Sequence, residues 1–224
     1  MASAAFSKIS AKIVGRWESA KWKASNKLLW RYRRRNLTNH NFSIISNNCA
    51  GEAIYQKLAM RYTTPTIGLF LFSDDYIKFL EEFEYYIKQP LQFKVASKHP
   101  VANESITKSR HSYPIGVLGD DIEVHFLHYK NENNAKEKWG RRTDRINLQN
   151  LFFIYGDKEN FKEEFLYRYE KLSFEHKLFL SSKHRESAGK AVIVRISKND
   201  PMAIAHGDFW KDFDIVKWLN GEKT

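Results

Sequence analysis

DDIEVHFLHYKNENNAKEKWGRRTDRINLQNLFFIYGD, residues 120–157, reads as a strand, a short polar turn, an amphipathic helix and a second strand ending in glycine and aspartate. Ile122, Val124, Phe126 and His128 alternate with Asp121, Glu123, His125 and Leu127, the period of two that a strand requires. One face is apolar except at its end, and the other gathers two carboxylates and an imidazole. Asn133 or Asn134 is placed to cap the following helix, because a side-chain oxygen there can accept from first-turn amides. Ala135, Trp139 and Ile146 fall on one side of that helix, Lys138, Arg141 and Arg145 on another, and Arg142 adds a further charge. A polar strand face followed by a cation-rich helix makes this the most site-like stretch of the chain.

On either side the pattern repeats. Upstream, FSIIS (Phe42 to Ser46) has the character of a buried strand, and NNCAG leads from it into a helix over about 52–61. Strand, polar turn, then helix is how an α/β sheet presents binding loops at the carboxyl ends of its strands. Gly51 stands alone where a dinucleotide fingerprint needs three glycines. TIGLFLF (Thr66 to Phe72) predicts a strand buried on both faces, and Ser73 or Asp74 a cap for a helix over about 75–88. Residues 91–114 hold one short strand (91–95) and then lack clear periodicity, so they predict a surface excursion or a lid, with His99, Arg110 and His111 in solvent. Downstream come a strand at 151–155, a helix at 160–171, strands at 177–182 and 191–196, and a C-terminal tail whose Phe209, Phe213, Val216 and Trp218 close the core. The fold expected is α/β, a mostly parallel, Rossmann-like sheet with helices on both faces.

Composition narrows the function. An apolar fraction of 42% and an aromatic fraction of 15% belong to a folded globular chain. The net charge of +11 suggests nucleic acid until it is divided along the chain. Residues 1–40 carry ten Lys/Arg against Glu18, so +9 falls there and +2 remains on the other 184 residues. The organisation expected is a basic segment, 1–40, ahead of a single domain, 41–224. Ile9, Ile13, Trp17, Ala20, Ala24 and Leu28 recur at helical spacing within that segment. Such a helix suits an anionic membrane surface, docking on its own domain, or a nucleic-acid arm. Of these, nucleic acid is not expected, since the body adds little positive field. One cysteine, Cys49, excludes an intramolecular disulfide, and no apolar run is long enough to cross a membrane. The location expected is cytoplasmic, peripheral to the inner membrane.

Four ordered blocks resemble a bacterial family catalogued as domain of unknown function 1919, often labelled exopolysaccharide biosynthesis protein. They are FSIISNNCAG; TPTIGLFLF followed by DYIKFL; YPIG followed by DIEVHFLHY; and KWGRRTDRINLQNLFF. The likeness covers roughly 42–157 and more weakly the remainder; Ala50-Gly51-Glu52 departs from a continuation richer in glycine and aromatics. The resemblance implies a transferase of surface-polysaccharide assembly, with a nucleotide-sugar, lipid-linked sugar or acyl donor.

Sugar or phosphosugar transfer needs cations for a departing phosphate and a base for the acceptor hydroxyl. Arg141, Arg142 and Arg145 suit the first task through their bidentate forks, unless they are only a solvated face. Glu123 and His125, two apart on one strand face, suit the second, unless they are an edge-strand exterior. Asn47, Asn48, Cys49 and Gly51 of the first loop, and Asp157 at the end of the second strand, complete the candidate binding residues. A helix N-terminus would acidify the Cys49 thiol, although buried structural cysteines are commoner. No cofactor is expected beyond a nucleotide-sugar donor. Asp121, Glu123 and His125 could share an ion, but with no HExxH or DxD triplet a divalent metal is not expected. The main alternative is a non-catalytic scaffold recruiting a glycan-assembly complex through residues 1–40.

Overall fold

A computed structural model describes residues 28–158, 160–186, 189–196 and 213–222. Four strands, β1 (Ser43–Ser46), β5 (Leu151–Gly156), β6 (His176–Ser181) and β7 (Val192–Arg195), form a parallel sheet in the order β1-β5-β6-β7. Three shorter strands, β2 (Gln92–Lys94), β3 (Ile115–Leu118) and β4 (Ile122–His125), form a separate antiparallel sheet in the order β2-β3-β4. The helices are α1 (28–36), α2 (Ala50–Leu58), α3 (Ser73–Glu81), α4 (Phe83–Tyr86), α5 (Pro100–Ser109), α6 (Glu132–Thr143), α7 (Glu163–Lys171) and α8 (Ile215–Leu219).

Strand periodicity explains the two cores. Ile44, Phe152, Ile154, Leu178 and Leu180 point to one face of the parallel sheet, where Ile54, Tyr55 and Leu58 of α2 and Trp218 of α8 cover them. Ile45, Phe153, Tyr155 and Phe179 point to the other, against α3, α7 and the small sheet through Tyr76, Ile77, Phe165, Tyr169 and Val124. In β1, β5 and β6 neither face meets water, which is why these strands are largely apolar without alternation.

Four local expectations give way. The Thr66 to Phe72 run forms no regular strand; Ile67, Leu69, Leu71 and Phe72 are buried as an irregular segment, with an isolated bridge between the partly buried Phe70 and His125. Gly68 breaks the pleat with a φ of +68°, and a Cβ there would lie 3.3 Å from both His128 Cβ and Tyr129 Cε2. The helix expected over 75–88 with Ser73 or Asp74 as its cap instead begins at Ser73, with Phe72 in the N-cap position. It ends at Glu82, whose φ of −123° separates α3 from α4. In α6 the cap is Asn131, which accepts from the Asn134 amide, rather than Asn133 or Asn134. Residues 91–114 contain α5, opened by Pro100 at its first turn. β4, α6 and β5 are consecutive as expected, yet β4 belongs to the small sheet and β5 to the large one, so α6 bridges two sheets.

The amphipathic helix expected from residue 8 lies largely outside the described residues, as does Phe209. Its described end, α1, docks on the body: Trp30 is buried in the α2-side core with Arg33 over its ring at 4.7 Å, while Leu28 and Leu29 are exposed. Asn220 after α8 holds this segment by accepting from the Thr38 amide at 2.9 Å and donating to the Asn36 carbonyl at 3.0 Å. No helix among the described residues is long and apolar enough to cross a membrane.

Candidate functional site

Glu123 and His125 do share one face of β4, but that face is buried: Glu123 is 1% exposed and His125 0%. The α5 arm folds over it. His99 precedes Pro100, takes the extended backbone that a pre-proline residue favours, and turns its ring inward. Asp75 sits in the first turn of α3, where the helix dipole favours a carboxylate, and its Oδ2 lies 2.7 Å from His99 Nε2. A carboxylate can only accept, so this nitrogen carries the proton. Lys98 Nζ donates to the other Asp75 oxygen at 2.5 Å.

Glu123 is held by three donors. Ser97 Oγ donates to Oε2 at 2.5 Å, the Lys98 amide to Oε1 at 2.7 Å, and the Lys94 ammonium pairs with Oε1. Burial alone would raise the carboxyl pKa; the bonds from Lys94, Ser97 and Lys98 outweigh it and hold the pKa below the usual value. His125 Nε2 lies 3.4 Å from Glu123 Oε2 without the alignment of a hydrogen bond. Burial pushes the His125 pKa down to about 4 against the pull of Glu123, so the ring is neutral at physiological pH. Phe72 stacks on His99 at 3.9 Å and Phe70 on His125 at 4.5 Å, walling the cluster with aromatic carbon. Tyr113, half-buried, reaches His125 Nδ1 at 3.3 Å. Its ring also lines an open polar groove of about 490 Å³ shared with Ser112, Lys130, Asn131, Glu132 and Asn133. Through the Tyr113 hydroxyl the cluster meets the groove.

The first-loop residues gather at the carboxyl ends of β1 and β5, as the α/β pattern predicts. Asn47 accepts from the Gly156 amide at 3.0 Å and returns a bond to its carbonyl, fastening the two strand ends together. Asn48 Oδ1 accepts from the Ala50 amide, while its buried Nδ2 has no hydrogen-bond partner among the described residues. Cys49 N-caps α2 with its sulfur 4.0 Å from His128 Nε2. Asp157 Oδ2 takes bonds from Ser181 Oγ, Ser182 N and Ser182 Oγ, and its buried Oδ1 has no such partner. The Leu71 amide donates to the Asn47 carbonyl, so the strand edge and the buried cluster are joined through the segment that carries Phe70 and Phe72.

Gly51 is a packing residue. A Cβ there would stand 2.8 Å from Ser46 Oγ and 3.1 Å from Ile44 Cγ2, because α2 lies directly on β1. Gly51→Ala is expected to lower unfolding free energy by about 1–3 kcal/mol through overpacking, read from urea midpoints. An unchanged midpoint would mean that Ser46 swings aside.

The arginines are not brought to this cluster. Arg142 is buried, donating to Tyr129 Oη at 2.6 Å with its guanidinium 5.1 Å from the Tyr62 ring. Arg141 is exposed and pairs with Glu137 at 3.5 Å. Arg145 has its pKa lowered by desolvation and then by the charges of Arg61, Arg141 and Arg142, against Asp144. At a rise of 1.5 Å per residue, Arg141 lies roughly 13 Å along the axis from the groove at the other end of α6, and Arg145 follows beyond the helix end. The expectation for His99 is also corrected, from a solvated loop residue to a buried partner of Asp75, because α5 closes over β4. Asp121 turns away from Glu123 and His125 to pair with Lys78.

The family model described as "Domain of unknown function (DUF1919)" matches residues 21–220, beginning inside the basic segment. An "Uncharacterized protein" from Haemophilus influenzae is 31% identical over 194 residues, covering 83% of this chain and 87% of that one.

Proposed function

The chain belongs to the family catalogued as domain of unknown function 1919, and from that premise we propose a transferase that moves a sugar or phosphosugar unit from a phosphate-linked donor to an acceptor hydroxyl during bacterial surface-glycan assembly. One observation carries this reading: a carboxylate-oriented imidazole, Asp75–His99, lies beside Glu123 and His125, one tyrosine hydroxyl from a polar groove. An imidazole held by a carboxylate is equipped to take the acceptor proton. The groove offers hydroxyl, amide and carboxylate side chains of the kind that bind sugar hydroxyls, with Tyr113 as a flat apolar wall. Lys130 and the positive end of the α6 dipole line it as well and favour an anionic donor group. The arginine group around Arg145 is a separate cationic surface in this reading. A nucleotide-sugar or lipid diphosphate sugar is the donor class, with the acyl alternative set aside because Ser97 Oγ, the hydroxyl beside the His99 amide, is committed to Glu123. Residues 1–40 would position the enzyme at an anionic membrane, on the cytoplasmic side.

The test is a thermal-shift screen of the full chain against nucleotide-sugars and lipid-linked sugars, followed by a transfer assay. A donor that binds only the folded chain raises its melting temperature. His99→Gln is expected to lower transfer about 100-fold or more while leaving donor binding in place. A chain that binds no donor, transfers nothing and captures a glycosyltransferase from the same assembly would instead support a scaffold, the reading favoured by the burial of all four cluster residues.

A further inference from the structure

We propose that His99, Glu123 and His125 bind one divalent transition-metal ion, zinc by the chemistry of the set, with Asp75 as the outer carboxylate that orients His99. Each of the three residues offers a ligand atom, and these atoms all lie within 4.8 Å of one another. The second observation is the His125 ring. Its residue is fully buried, its Nε2 faces Glu123 Oε2 at 3.4 Å, and it makes no hydrogen bond there. Nδ1 lies 3.3 Å from the Tyr113 hydroxyl, so Nε2 is the nitrogen left facing the carboxylate oxygen inside a buried, aromatic-walled site. A buried ring nitrogen without a hydrogen bond is costly, and a cation bound between it and the carboxylate would satisfy both.

The supporting shell has the form that metal-ligating histidines require. A ligating imidazole usually donates its other N–H to a carboxylate or an oxygen acceptor, which fixes the ring and raises its basicity. His99 has Asp75 for this purpose, and His125 has Tyr113. Ser97 Oγ and the Lys98 amide orient Glu123 in the same way. Phe70 and Phe72 supply the dry wall. Two imidazoles and one carboxylate suit zinc or its neighbours over magnesium or calcium, which prefer all-oxygen shells. Three protein ligands leave a further position for water or a substrate oxygen, the pattern of catalytic sites.

Charge around the cluster is compatible with an added cation. Asp74, Asp75 and Glu123 supply three carboxylates, and Asp74 Oδ1 is buried with no hydrogen-bond partner among the described residues. Lys94 and Lys98 face two of them. An entering ion would displace the Lys94 ammonium from Glu123 toward solvent, a short move for a side chain already 34% exposed. A bound ion would lower the pKa of an acceptor hydroxyl and so perform the activation assigned above to the imidazole. The metal site rests on the cluster's geometry alone, so it can stand if sugar transfer does not.

The test uses the full chain, stripped by chelator and titrated with Co2+ as a spectroscopic probe. One equivalent is expected to bind, give visible absorption bands of a four- or five-coordinate N/O site, and be displaced by Zn2+. His125→Asn and Glu123→Gln are each expected to weaken binding about 100-fold or more, and Asp75→Asn about 10–100-fold, the range for an outer-shell partner. Absence of the bands overturns the site. So does their survival in a folded His99→Asn or His125→Asn variant, which would place the ion on exposed histidines such as His111 or His184. Should the variants fail to fold, X-ray absorption on the zinc-loaded native chain decides without them: two imidazoles per zinc support the site and any other number refutes it. Stoichiometric metal binding without donor binding would uphold this inference while removing the transferase reading.

Discussion

Glu123→Ala is expected to lower the unfolding free energy by about 3–5 kcal/mol, the range for removing one member of a buried, paired charge group. The carboxylate is 1% exposed and is the acceptor for Ser97 Oγ, the Lys98 amide and the Lys94 ammonium. Alanine would leave a buried hydroxyl and a backbone N–H without their acceptor, each costing about 1–3 kcal/mol. Lys94 would lose little, since it can turn to water. Glu123→Gln keeps an oxygen for the Lys98 amide but sets an NH2 group where another donor lies, so a loss of about 1–3 kcal/mol is expected. Urea denaturation with the m-value held constant reads both effects. A loss below 1 kcal/mol for the alanine variant would mean that water enters and replaces the carboxylate, and the cluster would then be open rather than dry. The same numbers bear on function: a Glu123→Ala strain lacking polymer would report on folding first, which is why His99→Gln is the cleaner test of chemistry.

The large sheet was legible because burial on both faces leaves a plain signature. SIIS, LFFIYG and LFLS are runs of apolar or small residues, the last preceded by the buried Lys177, and each became a strand close to its expected limits. The same signature misled at TIGLFLF. A buried irregular segment has the same need for apolar side chains as a buried strand, and only the left-handed Gly68 distinguishes them. The i, i+2 relation of Glu123 and His125 could be read directly, since strand pleating fixes it. Their burial could not be, because it depends on α5 closing over β4. Pro100 was the local sign of that helix, placed where a first turn tolerates proline. Nothing local signals that His99 meets Asp75 across 24 positions. Arg142 shows the opposite difficulty. It stands among charged neighbours on a helix and reads as solvated, yet Tyr129 accepts from its Nη1 and the Tyr62 ring covers its face. Partners of that kind are brought together by tertiary packing, which single-element periodicity does not encode.

Lys177→Met is expected to cost about 3 kcal/mol, although it removes a buried charge. Lys177 lies on β6 with 1% exposure, and its Nζ donates to the carbonyls of Tyr169, Glu170 and Leu172 at 3.2, 2.8 and 2.5 Å. These carbonyls close the C-terminal turn of α7, where the helix dipole is negative and a cation is stabilised. Tyr169 O keeps a second donor, the Leu172 amide, so two carbonyls bear the loss, at about 1–3 kcal/mol each. Opposing this, burial holds the ammonium pKa below its usual 10.5, with Lys190 lowering it further and Glu170 working the other way. Relief of that desolvation and the good volume match of methionine recover part of the loss. Acceptors stranded at a helix end outweigh the relief because methionine offers them no donor. The measurement is the urea midpoint, paired with amide exchange of α7, whose last turn should open sooner in the variant. A stability change within about 0.5 kcal/mol, the scatter of neutral surface changes, would show that solvent reaches the α7 terminus and that the lysine is dispensable there.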